Sequence, residues 1–138
     1  MIAAGRGGKI INLGSMYALF GAPDFPHYAA AKAGVLGLTR SLAVELAPHN
    51  IQVNAILPGW FETDLTRATR HGPPAPGAVG GWGQGELIRR KTPAGRWGEA
   101  EDLAGAAVFL ASAASDFVTG VALPVDGGYS VADRFSTE

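Results

Sequence analysis

The hydrophobic and polar positions of this chain fall into blocks of two different periods. Lys9-Ile10-Ile11-Asn12-Leu13 is an almost uninterrupted apolar run with β-branched members, the pattern of a buried strand in a parallel sheet covered on both faces. Pro23 and Pro26 break the segment that follows, and Pro26 suits the first turn of a helix. From residue 28 to 47 the period becomes helical, with Val35, Leu38, Leu42 and Leu46 recurring at spacings of three and four. The intervening Ala29, Ala30, Ala31, Ala33, Gly34 and Gly37 are small, so this helix is expected to be buried on more than one side, and Pro48 ends it. Residues 51–57 read as a second strand stopped by Pro58-Gly59. Residues 100–113 read as a helix with Leu103, Ala107, Leu110 and Ala111 on one side. Residues 121–125 form a short strand, from which Asp126-Gly127-Gly128 turns away. Strand, helix, strand, helix, strand makes two βαβ units. The expectation is an α/β fold, part of a doubly wound (Rossmann-like) parallel sheet, with about three strands and right-handed crossover helices.

Two stretches lie outside this pattern. Residues 72–85 are rich in Gly and Pro, enclose Trp82 and have no period, as expected of a loop that closes over a ligand. Met1-Ile2-Ala3-Ala4 followed by Gly5 reads as the last turn of a helix with its C-terminal glycine, so the chain is expected to begin inside a domain.

Composition narrows the classes. A chain of 138 residues with 47% hydrophobic content is one domain's worth or less. A formal charge of −1 with no basic stripe argues against nucleic acid as a partner. No apolar run approaches the roughly 20 residues that span a bilayer, so no membrane role is expected. With no cysteine there is neither a disulfide framework nor thiolate chemistry, which fits a cytoplasmic location.

The candidate chemistry is carried by Ser15, Tyr28 and Lys32. Ser15 closes the first strand, while Tyr28 and Lys32, four residues apart, share one face at the start of the helix. Interconverting an alcohol and a ketone needs a group that exchanges the hydroxyl proton near neutral pH. A free tyrosine, with a pKa of about 10, is a poor base, but a nearby ammonium and the positive end of a helix both favour a phenolate. Ser15 is placed to hold and polarise the substrate oxygen. Tyr-x-x-x-Lys alone is a common accident in helices. Its company here is a strand-end serine upstream and Pro58-Gly59 at the same carboxyl edge, where open α/β sheets bind ligands. Trp60, Phe61 and Trp82 either line a substrate pocket or pack; Phe61, following Pro58-Gly59 at one remove, is the better candidate. Tyr17 and Phe20 are candidate substrate contacts. His27, His49 and His71 lack metal-ligand spacing, and no metal is expected. Glu99, Glu101 and Asp102 lie at a helix start, which favours a dipole role. Asn12 and Asn54, inside strands, read as structural. Gly5-Arg6-Gly7-Gly8 precedes a strand, whereas a phosphate-binding turn follows one.

GGKIINLGS (7–15), YAAAKAGVLGLTRSLAVEL (28–46), IQVNAILPGWFETDL (51–65), GRWGEAEDLAGAAVFLAS (95–112) and TGVALPVDGG (119–128) together resemble the C-terminal half of a single-domain short-chain dehydrogenase/reductase. The resemblance implies that residues 1–138 are that half of one NAD(P)-binding Rossmann-like domain, without the glycine-rich first half and its cofactor-selecting residue. It implies that Ser15 binds and polarises substrate, that Tyr28 is the proton donor and acceptor, and that Lys32 holds the nicotinamide ribose and eases proton exchange at Tyr28. Pro58, Gly59, Phe61 and Thr63 fall where the family contacts the nicotinamide and pyrophosphate of NAD or NADP. Tyr17, Phe20 and Trp60 remain substrate candidates. Within the family the chain looks most like gluconate- and deoxygluconate-type dehydrogenases, with 3-oxoacyl-carrier-protein reductases the near alternative. The implied protein is a homo-oligomer, a tetramer or dimer, acting on a small molecule such as a sugar acid or polyol. The rival reading is an inactive fragment that acts only by association with other chains.

Overall fold

The computed structural model describes residues 1–23, 25–72 and 84–133; the loop expectation centred on residues 73–83, with Trp82, lies outside the described residues. Three strands, β1 (Gly8–Leu13), β2 (Ile51–Pro58) and β3 (Ala122–Val125), form one parallel sheet in the order β1-β2-β3. Helix α1 (Pro26–Leu46) connects β1 to β2. The return to β3 runs through α2 (Arg67–His71), α3 (Gly85–Lys91) and α4 (Ala104–Ala111). The parallel α/β architecture expected from the sequence is present.

Strand alternation decides how the layers meet. On β2 the odd positions face α1: Ile51 and Val53 pack with Ala43, and Ala55 and Leu57 pack with Leu36. Ile10 joins the α1 side, while its neighbour Lys9 reaches the other way to Asp116, beyond α4, at 2.7 Å. Every residue of β2 from Ile51 to Leu57 is buried, as a central strand requires. The expectation of full burial does not hold for β1, which is partly buried along its length and leaves Leu13 60% exposed. It is an edge of the described sheet and pairs with β2 alone.

The buried face of α1 also differs from the expected stripe. Leu36, Thr39 and Ala43 are buried; Val35, Leu42 and Leu46 are half-buried, and Leu38 is 52% exposed. Thr39 tolerates burial because its hydroxyl donates to the Val35 carbonyl (2.7 Å) and accepts from the Asn12 amide (2.9 Å). A packed polar residue is invisible to a hydrophobic pattern. Nor is α1 covered on several sides among the described residues: a Cβ at Gly34 or Gly37 would meet nothing within 4 Å. The expected helix at residues 100–113 divides into a 3-10 turn, Ala100–Leu103, and α4. Leu110 is buried there, but Ala111 is exposed. Glu99 and Asp102 form a reciprocal capping box at that start, in keeping with a helix-end role. Ile2–Ala4 is a 3-10 turn closed by Gly5 at φ 63°, the left-handed cap read from the sequence.

Candidate active site

Strand β1 ends beside Ile56 of β2, which runs on to Pro58. Leu13 pairs with Ile56, and the next amide, Gly14 N–H, donates to the Ile56 carbonyl at 2.8 Å. Gly14 fits because the Leu57 side chain stands where its Cβ would be. Ser15 then leaves the sheet and caps the 3-10 turn Met16–Ala18, its hydroxyl accepting from the Tyr17 amide at 3.2 Å. This bond and the burial of Ser15 fix the hydroxyl at the edge of the sheet.

Tyr28 and Lys32 occupy the first turns of α1, which opens on Pro26. Lys32 Nζ donates to the Leu13 carbonyl at 3.0 Å, so the helix is tied to the end of β1 two residues before Ser15. The same ammonium lies 5.7 Å from the centroid of the Tyr28 ring. The Tyr17 ring meets Tyr28 edge-on at 6.3 Å, Trp60 at 6.1 Å and Phe20 at 5.4 Å. Ser15, Tyr17, Phe20, Tyr28, Lys32 and Trp60 are thereby gathered at one edge of the sheet.

The two facing tyrosines are not equivalent. Burial, reinforced by Tyr129 and Tyr28, pushes the Tyr17 phenol up to about 12. Tyr17 is therefore a neutral hydrogen-bond donor at physiological pH. Tyr28 is more open to solvent, at 39% exposure.

Pro58 ends β2, and the Gly59 amide donates to the Val125 carbonyl at 3.0 Å. Gly59 stands so close to Asp126 that a Cβ would lie 2.7 Å from the Asp126 Cα. Phe61 is buried with its ring on Gly98, its carbonyl accepting from the Thr66 hydroxyl at 2.5 Å. The Thr63 hydroxyl is engaged with Thr66 at 3.1 Å, in an exposed turn with no hydrogen bond to the tyrosine cluster. Trp60, Phe61, Trp97, Gly98 and Asp126 help line a cavity of about 230 Å³ that does not include Ser15, Tyr28 or Lys32. Trp60 is thus shared between the tyrosine cluster and this cavity, and its Nε1 is buried without an acceptor among the described residues.

Asn12 and Asn54 are structural, as read: Asn54 donates to the Val118 carbonyl (2.8 Å) and accepts from the Val121 amide (3.1 Å). Sequence reading missed Tyr129 and Lys91. Tyr129 stacks near Phe20 at 6.3 Å, and Lys91 Nζ lies 4.3 Å from the Tyr129 ring centroid. The signals were a lone aromatic after Asp126-Gly127-Gly128 and the last residue of Arg89-Arg90-Lys91. Neither carries a period or a motif.

The site is a parallel sheet with a serine at one strand's carboxyl end and a Tyr-x-x-x-Lys helix docked beside it. The family described as enoyl-(acyl carrier protein) reductase matches residues 1–130, and the chain belongs to the short-chain dehydrogenase/reductase family. It is 47% identical over 128 residues to 2-dehydro-3-deoxy-D-gluconate 5-dehydrogenase of Dickeya dadantii, covering 93% of this chain and 47% of that protein. It is 48% identical to 5-keto-D-gluconate 5-reductase of Escherichia coli, covering 92% of this chain and 46% of that protein. Among solved structures, gluconate 5-dehydrogenase from Burkholderia cenocepacia, in complex with NADP and tartrate, matches with a TM-score of 0.83 and 44% identity, covering 95% of this chain and 48% of that one. The chain spans about half the length of the relatives it matches.

Proposed function

We propose that residues 1–138 are the C-terminal, proton-transferring half of a NAD(P)-dependent oxidoreductase that interconverts a secondary alcohol and a ketone on a gluconate-type sugar acid or polyol. The observation that carries this reading is the tether between Lys32 and the Leu13 carbonyl, which holds the Tyr28 helix against the strand end that presents Ser15. The relatives named above support the substrate class. Ser15 orients the substrate oxygen and Tyr28 exchanges its proton, while Tyr17 remains protonated beside them. The nicotinamide, when bound, accepts or supplies the hydride.

The residues at this edge suit such a cofactor. An ammonium has three N–H donors, and the bond to Leu13 accounts for one, leaving others for ribose hydroxyls. Pro58, Gly59, Phe61 and Thr63 would hold the rest of the cofactor's reactive end. The reading carries with it a homo-oligomer of two or four copies and a cytoplasmic setting, both implied by the resemblance. Among the described residues no helix is long and apolar enough to cross a membrane.

The test is nicotinamide-dependent turnover of D-gluconate or 5-keto-D-gluconate, compared with Tyr28→Phe. Losing a positioned proton donor costs about 10²–10⁴ in rate. Turnover of the variant within a few-fold of the parent would remove Tyr28 from the mechanism.

A further inference from the structure

We propose that Lys91 recognises the carboxylate of the substrate and thereby selects a sugar acid over the corresponding neutral polyol, an inference that rests on the oxidoreductase reading above. Six cationic arginine and lysine side chains lie between β2 and β3: Arg67, Arg70, Arg89, Arg90, Lys91 and Arg96. Each arginine has a carboxylate. Arg67 pairs with Asp64, Arg70 with Glu62, Arg89 and Arg90 with Glu86, and Arg96 with Asp102. Lys91 has no carboxylate partner among the described residues.

What Lys91 has instead is a seat of aromatic rings. Its Nζ lies 4.3 Å from the Tyr129 ring centroid and 5.8 Å from that of Phe20. A cation over a ring is held by the ring quadrupole, which orients the charge without neutralising it. The charge therefore remains available to an anion. The seat also gives it a direction. Phe20 contacts Tyr17, and Tyr17 contacts Tyr28, so one continuous series of rings joins the ammonium to the proton-transferring group. Such rings present apolar faces to the C–H side of a polyhydroxy chain, and the Tyr17 hydroxyl supplies a neutral donor along the way. A hydroxy acid bound beside these rings would set its carboxylate at Lys91, with its hydroxyl-bearing chain running toward Tyr17 and Tyr28.

The test is binding, which needs no turnover. The 138-residue chain is titrated with sodium D-gluconate and with D-glucitol, with and without NADPH, following tryptophan fluorescence or chemical shifts. A charge-assisted hydrogen bond predicts gluconate binding about tenfold tighter than glucitol binding, with a gap that narrows as salt is added. Lys91→Met should abolish the gap by weakening gluconate while leaving glucitol unchanged, and Lys91→Arg should retain most of it. Equal affinity for the two ligands, a gap that survives Lys91→Met, or no binding of gluconate overturns the proposal. A Lys91-dependent gap together with Tyr28→Phe turnover matching the parent would leave this site standing while removing the oxidoreductase reading.

Discussion

The Asn12 amide donates to the Thr39 hydroxyl at 2.9 Å, and that hydroxyl in turn donates to the Val35 carbonyl at 2.7 Å. A strand residue and a helix residue 27 positions apart are thus locked by one buried oxygen. The pair fixes how α1 lies on β1, and so where Lys32 meets Leu13. Thr39→Val keeps the shape but leaves the Asn12 donor unpartnered. Such an orphaned group costs about 1–3 kcal/mol. A urea midpoint unchanged from the parent would show that the bond does not hold the helix.

At the end of β2, Gly59→Ala should be destabilising for a different reason. The added methyl would sit 2.6 Å from the Asp126 Cβ and 2.7 Å from its Cα, and backbone cannot swing aside as a long side chain can. Forced overpacking of this kind costs about 1–3 kcal/mol. The same change should part the β2 and β3 ends, weakening the Gly59–Val125 bond, so amide exchange at Gly59 should accelerate. Parent-like exchange and stability in the alanine variant would contradict the close approach.

Alkaline titration reads the burial of Tyr17. Tyr17, one of three tyrosines, has its phenol pushed up to about 12 by burial, then by Tyr129 and Tyr28. Its neutral form is the one the fold prefers. Its contribution to stability is complete below about pH 10, the unfolded value, and is lost as pH rises toward 12. The ultraviolet phenolate signal should carry a late component from Tyr17, which resists ionisation until the protein unfolds. Tyr17→Phe should remove that late component, and its persistence in the variant would assign it elsewhere.

Acid acts through Asp102. The Arg96 guanidinium, followed by the Glu99 amide, holds its carboxyl well below the usual carboxylate range. A depressed carboxylate stabilises the fold above its unfolded pKa of about 3.9, and that stability is lost as pH falls further. Below pH 4 the parent should therefore lose thermal stability more steeply than Asp102→Asn. Parallel acid limbs in the two proteins would mean that the Arg96 pair contributes nothing to folding.

The sequence made the sheet legible because β2 is mostly apolar apart from Gln52 and Asn54 and buried from Ile51 to Leu57, and because Pro58-Gly59 marks where it stops. Tyr28 and Lys32 were legible because helical spacing alone places them on one face. Other features are not periodic. The dock of α1 runs through Thr39, a polar residue that becomes a core residue only with Asn12 beside it. Leu13 reads as buried by its type, yet it lies on an edge strand and is exposed. Phe61 follows a predicted cofactor turn, but Gly98 offers a bare backbone for its ring, and packing there is equally satisfied. Lys91 and Tyr129 meet only after three segments fold together, and no local spacing encodes a contact across 38 residues.

The alignment of β1 with β2 limits how this scaffold can diversify. Ser15 lies two residues past Leu13, which is paired to Ile56, and neighbouring strand residues point to opposite faces. A single inserted or deleted residue between the paired segment and Ser15 would turn the hydroxyl away from the Tyr17 amide that it now accepts from. Descendants of this chain can therefore vary little in length along either strand. Changes of length are better borne outside the paired strands, where no shared register is at stake.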